Sequence, residues 1–100
     1  MEVRIEKEKG RVTAFLVGRL DTLATQEVAP VMEELYAEAA GTVILDCSEL
    51  SYISSSGLRQ FLTLRKSAAQ KGGKVIIRSL SDDIRGVFMM TGFLNLFEIQ

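Results

Sequence analysis

Val43-Ile44-Leu45-Asp46-Cys47-Ser48-Glu49-Leu50-Ser51-Tyr52-Ile53-Ser54-Ser55-Ser56-Gly57-Leu58-Arg59-Gln60-Phe61-Leu62 reads as strand, loop and helix. An apolar run ends in an acid at Asp46, a short polar loop follows, and three serines with a glycine lead into an amphipathic pattern. That order places Ser54, Ser55 and Ser56 at a helix start, where unpaired backbone N–H groups point outward and favour negative charge. A hydroxyl there can be a helix cap, a phosphate acceptor, or both.

Downstream, Leu58, Phe61, Leu62, Ala68 and Ala69 recur at helical spacing as far as Gly72-Gly73. Val75, Ile76 and Ile77, flanked by Lys74 and Arg78, predict a buried strand. Ser81 with Asp82 and Asp83 predicts a helix start, Ile84, Val87, Phe88 and Thr91 give that helix one face, and Gly92 ends it. A short strand is expected within Asn95 to Ile99. Upstream, Val3 and Ile5 alternate with Glu2, Arg4 and Glu6, as in an edge strand. A polar turn from Lys7 to Gly10 joins it to a second strand, Val12 to Val17, as an antiparallel hairpin.

Gly18 to Thr22 then opens a helix on which Leu23, Val28, Val31, Met32, Leu35 and Ala39 line one face. Asp21 or Thr22 is its expected cap. Pro30 falls inside this pattern, so the helix either kinks there, which is the reading taken, or begins later, and Gly41 is the expected left-handed stop. The resulting order, β-β-α-β-α-β-α, implies an α/β layer with parallel neighbours and one antiparallel edge. Loops after parallel strands gather at one rim, where ligands and partners bind. Asp21, Asp46, Ser55 and Ser56 are expected on that rim.

The composition, 47% hydrophobic and 25% charged, is that of a globular chain. One hundred residues suit one domain, 1–100, which buries roughly two thirds of its unfolded surface. A net charge of -1 with no basic run argues against nucleic acid. No apolar run approaches the about 18 residues needed to span a bilayer. One cysteine and no charged-apolar-small pattern at Met1-Glu2-Val3-Arg4 make the cytoplasm the expected compartment.

Without histidine, Ser-His-Asp chemistry is excluded, and no cysteine cluster offers a metal site. Neither strand-to-helix junction carries Gly-x-x-x-x-Gly-Lys-Ser/Thr, so nucleotide hydrolysis is unsupported. No cofactor is expected. The residues singled out for binding are Asp21, Ser54, Ser55, Ser56 and Gly57, with Met89 and Met90; most of the segment from Met89 to Leu94 is expected in the core, and a methionine left outside it would give an adaptable apolar contact. Gly57 is either a plain helix-start residue or a place where a partner backbone passes close.

Gly18-Arg19-Leu20-Asp21-Thr22, Val43 to Ser48 with Leu50, Ile53-Ser54-Ser55-Ser56-Gly57-Leu58 and Met90-Thr91-Gly92-Phe93, in this order, resemble bacterial anti-sigma factor antagonists of the STAS (sulphate transporter and anti-sigma factor antagonist) family. The resemblance covers nearly the whole chain. It implies a mixed α/β sheet of four to five strands with an antiparallel edge hairpin and three to four helices, in a monomer or weak dimer. It also implies a partner switch. The unphosphorylated antagonist binds an anti-sigma factor that is an ATP-dependent serine kinase, and so releases a sigma factor. Phosphorylation at Ser56 breaks that complex, and a PP2C-type phosphatase restores it. Such a chain is no enzyme, since ATP and magnesium belong to its partners.

Within the resemblance Asp21 faces the partner, and Ser55 and Gly57 shape the loop of Ser56. Many phosphorylated members carry Asp where this chain has Ser54, which makes Ser55 an alternative acceptor. Pro30 is a second departure. The other function class is a STAS module that is never phosphorylated and serves as a docking or ligand-binding subunit of a transport or signalling complex.

Overall fold

The structure, a computed structural model, describes residues 1–100. Five strands, β1 (Glu2–Glu8), β2 (Arg11–Leu20), β3 (Thr42–Ile53), β4 (Lys74–Arg78) and β5 (Glu98–Ile99), form one sheet in the order β1-β2-β3-β4-β5. The first pair is antiparallel and the others are parallel. Between them lie α1 (Thr22–Glu27), α2 (Ala29–Ala37), α3 (Ser55–Lys71) and α4 (Asp82–Thr91), followed by a single 3-10 turn, Phe93–Asn95. The mixed sheet, edge hairpin and four helices are those expected.

Strand order follows chain order from β2 to β5, so right-handed crossovers, the hand such connections almost always take, all fall on one face. The core lies under them. Alternate residues Val12, Ala14 and Leu16 of β2, Val43 and Leu45 of β3, and Val75 and Ile77 of β4 join Met32, Leu35, Phe61, Leu64, Ile84 and Phe88 from the helices in one apolar cluster. The Phe88 ring meets Phe61 edge-on at 6.2 Å and Phe93 at 5.9 Å, which ties α4 to α3 and to the tail. The other face of the sheet carries no helix. Its Ile44 and Ile76, neighbours across the β3–β4 ladder, are nevertheless buried.

Three expectations about the first half of the chain need correction. Pro30 does not kink one helix but divides two: Val28 ends α1 and caps α2, and Pro30 occupies the first turn of α2, where its missing N–H has no bond to lose. This rotates the faces. Val28, Met32, Leu35 and Ala39 are buried as expected, Val31 is half-buried, and Leu23 points outward, 66% exposed. Gly41 is not a left-handed stop either, since α2 ends at Ala37 with Glu38 as its cap. Gly41 is small for another reason: a Cβ there would lie 2.8 Å from the Gly10 carbonyl oxygen, and one on Gly73 would run into the carbonyls of Ala39 and Gly41. Thr42 N–H donates to that Gly10 carbonyl at 3.1 Å, and Lys74 N–H to that of Gly41 at 3.0 Å. Left-handed stops do occur at Gly72 and Gly92, where the sequence placed them.

The third correction concerns β3. It runs on past Leu45 to Ile53, so the stretch read as a polar loop is strand. Its pairing with β2 continues through Val17↔Glu49, Gly18↔Leu50, Arg19↔Tyr52 and Leu20↔Ile53, with register shifts where β3 carries an extra residue.

Candidate functional site

The long β3 moves the rim. Asp46 stands level with Phe15, and Ile53 level with Leu20, five steps along β2 or roughly 16 Å at the usual strand rise. Asp46 is therefore not on the serine rim, against expectation. It is 7% exposed and pairs with Arg78 Nε at 3.0 Å, while accepting from the Ser48 amide at 3.0 Å and the Ser48 hydroxyl at 2.7 Å. Burial pushes its pKa up, but the Ser48 bonds and the Arg78 guanidinium outweigh this and hold the carboxyl below the ordinary aspartate range. Arg78 also lies over the Phe15 ring, with Arg4 on the same ring at 5.4 Å. The row Arg4, Phe15, Asp46, Arg78 crosses four strands of the helix-free face as a closed structural network. Cys47 beside it is buried, and burial, with the Asp46 charge, pushes its thiol up to about 12. It is no nucleophile at neutral pH.

At the far end of β3 the backbones of the two strands stay joined: Ser54 N–H donates to the Leu20 carbonyl at 2.9 Å. Each strand then turns into a helix at the same place. Asp21 caps α1, its Oδ1 accepting from Ala24 N–H at 2.9 Å. Ser54 caps α3, its Oγ accepting from Gly57 N–H at 3.2 Å. The structure thus brings Asp21, Ser54, Ser55, Ser56 and Gly57 together on one rim.

The three serines are not equivalent. Ser54 is 8% exposed, and its hydroxyl is occupied by the cap. Ser55 is exposed and Ser56 half-buried, both in the first turn of α3, and neither hydroxyl is engaged in a hydrogen bond with the chain. Capping and an accessible hydroxyl, alternatives for the triplet as a whole, fall to different members of it. Gly57 is buried, and a Cβ there would lie 2.8 Å from Ile53 Cγ1 and 3.0 Å from Leu20 Cδ2. Its missing side chain lets the start of α3 sit on the ends of β2 and β3.

Two neighbours escaped the sequence reading. Leu23 projects from α1 two residues after the Asp21 cap, and treating Pro30 as a helix start would have turned it outward. Tyr52, partly exposed, stacks under the Arg19 guanidinium at 4.3 Å just before the serine turn. Their opposition follows from the β2–β3 register, which the misread loop concealed. Met89 and Met90 are both outside the core, at 64% and 89% exposure, although most of their segment was expected inside it. They follow Phe88, which packs on Phe61, and no bond joins them to the serine turn.

These residues form a surface and not a pocket. The hollows in the molecule lie elsewhere, along the α3–β4–β5 edge and around Gly10, Gly41 and Gly73 at the opposite rim. No three potential metal ligands cluster anywhere in the chain.

Comparison with known sequences fits this arrangement: the pattern of the STAS domain matches residues 2–100. The chain belongs to the STAS domain family. Among STAS relatives, BtrV of Bordetella bronchiseptica, named as a candidate anti-sigma factor antagonist, is 29% identical over 99 residues, covering 99% of this chain and 85% of its own. The anti-sigma-B factor antagonist of Listeria monocytogenes is 29% identical over 96 residues, covering 95% and 83%. The anti-sigma factor antagonist SpoIIAA in its unphosphorylated form superposes with a TM-score of 0.75 at 22% identity, over 99% of this chain and 87% of its own. An anti-sigma factor antagonist from Mycobacterium paratuberculosis gives 0.85 at 15%, over 98% and 83%. These superpositions establish a shared STAS fold. The family is one of regulatory binding domains.

Proposed function

We propose that this chain is an anti-sigma factor antagonist, a regulated binding surface that engages an anti-sigma factor serine kinase in the bare state and is released by phosphorylation at Ser56. The observation that carries the reading is the division of labour in the serine triplet. Ser54 holds the helix start, which leaves Ser55 and Ser56 with free hydroxyls beside Asp21 and exposed Leu23. The relatives named as antagonists and the likeness to SpoIIAA support it.

In the reaction the serine oxygen takes the γ-phosphoryl group of ATP bound by the kinase, ADP leaves, and the hydroxyl proton passes to a base of the kinase. A PP2C-type phosphatase returns the hydroxyl by hydrolysis. The phosphate adds about -1.5 to -2 charge within a contact surface, where it must be desolvated or repelled, yet the free N–H groups of α3 tolerate it without unfolding. On this reading the switch works in the cytoplasm, with Asp21, Leu23, Ser55 and Ser56 as the contact and Met89 and Met90 as its extension.

The test combines intact-mass and peptide mass spectrometry of the protein from its native cells with binding of the cognate kinase to wild type, Ser56→Ala and Ser56→Asp. A phosphate on Ser56, absent in Ser56→Ala, and lost affinity in Ser56→Asp are expected. A kinase that binds Ser56→Asp as tightly as wild type overturns the switch, and a phosphate on Ser55 moves the site by one residue.

A further inference from the structure

Most cations of this protein are spoken for. Of its seven arginines, Arg4 and Arg78 flank Phe15 and pair with Glu49 and Asp46, and Arg11 pairs with Glu8 at 2.8 Å. Arg19 lies on Tyr52, and Arg65 donates to the Leu96 carbonyl at 2.6 Å. Two arginines have no carboxylate, carbonyl or ring partner: Arg85 on α4, and Arg59, which is exposed on α3. Arg59 sits three residues after Ser56 and four after Ser55, the two spacings at which helical side chains are neighbours. Gln60, the next residue, is turned inward, its amide donating to the Thr25 carbonyl of α1 at 2.8 Å, so Arg59 is the cation left free beside the two serines.

We propose that Arg59 is the internal counter-ion of a phosphate on Ser56, so that one modification adds an anion to the surface and withdraws a cation from it. The inference rests on the phosphorylation reading above and specifies how the modified state is held. A guanidinium offers two parallel N–H donors that match phosphate oxygens, on a stem long enough to span one helical turn. In the bare protein the same guanidinium is solvated and available to a partner. With phosphate present it folds back along α3, and a partner's acidic group loses it. Asp21, the cap of α1, is the neighbouring anion on this rim and acts in the opposite sense on the phosphate, while Arg19, stacked on Tyr52, is the competing cation.

The experiment uses the full chain with phosphoserine introduced at position 56 during translation, and follows the phosphate by 31P NMR from pH 4.5 to 8. An exposed pair at about 5–6 Å lowers the second phosphate pKa, ordinarily near 6, by about half a pH unit. Arg59→Gln is expected to raise the midpoint by that amount, and Arg59→Lys to recover part of it. Lys66→Gln, ten residues or about 15 Å further along the helix from Ser56, should leave it in place. In parallel, the Arg59 Nε–H resonance should move on phosphorylation. A midpoint unchanged in Arg59→Gln, or one that responds more to Arg19→Gln than to Arg59→Gln, overturns the proposal. Either result leaves the switch itself standing, whereas a kinase indifferent to the phosphate would remove the switch and leave this pairing intact.

Discussion

Replacing Gly57 by alanine tests the site's construction directly, because local propensity and packing disagree there about the sign. In a helix interior alanine is favoured over glycine by up to about 1 kcal/mol, and by less in a first turn. The new methyl carbon, however, would stand 2.8 Å from Ile53 Cγ1 and 3.0 Å from Leu20 Cδ2 and Cγ. Comfortable carbon contacts begin near 3.5–4.0 Å, so the space falls short by roughly 0.5–1 Å on both sides. Neither neighbour is a loose end, since Leu20 and Ile53 are core residues. Overpacking of this kind costs about 1–3 kcal/mol, which exceeds the propensity gain. The expected net destabilisation is about 1–2 kcal/mol, a fall in Tm of about 5–15 °C for a chain of this size. Urea unfolding with an unchanged m-value and a calorimetric scan would measure it. A Gly57→Ala protein as stable as wild type, or more so, would refute the packing argument.

Three further outcomes follow from the same geometry. Ser54→Ala removes the α3 cap and leaves the Gly57 N–H without its acceptor, a loss of about 1 kcal/mol by chemical denaturation, which Ser54→Asp should not show. Because the folded-state pKa of Asp46 is depressed, its contribution to stability is fully present above the unfolded value near 3.9 and is lost as pH falls through the folded value. Asp46→Asn should therefore lose about 1–3 kcal/mol at pH 7 and show a smaller drop than wild type between pH 7 and pH 3 in urea titrations. Leu23→Ser should leave the unfolding free energy within about 0.5 kcal/mol of wild type while weakening affinity for the proposed kinase partner about tenfold or more, as measured by calorimetry.

Periodicity and punctuation made much of this fold legible. Glycines 72 and 92 stop helices where they were read to, Ser81 and Asp21 cap where they were read to, and the alternation of β1 marks an edge. The misreadings have physical causes. Cys47 to Tyr52 are polar enough to pass for a loop, but they are strand because β2 continues beside them and supplies the ladder, a partner invisible in a local window. The same error put Asp46 on the rim. Pro30 allowed two geometries, and choosing the kink hid Leu23. The serine turn itself was legible as a helix start, while the assignment of cap and free hydroxyls needed coordinates, because one residue of shift in the helix start exchanges their roles.

The backbone contacts at the rim opposite the serines limit how the chain can vary in length. There the turn before β2, the link into β3 and the link into β4 touch one another through Gly10, Gly41 and Gly73, and two main-chain bonds join the three in series. An inserted residue in any of these links would pull apart a bonded neighbour as well as its own turn. Tags, fusions and grafted loops should therefore be placed away from this end. Among relatives, gains and losses of residues should be rare at the glycine end.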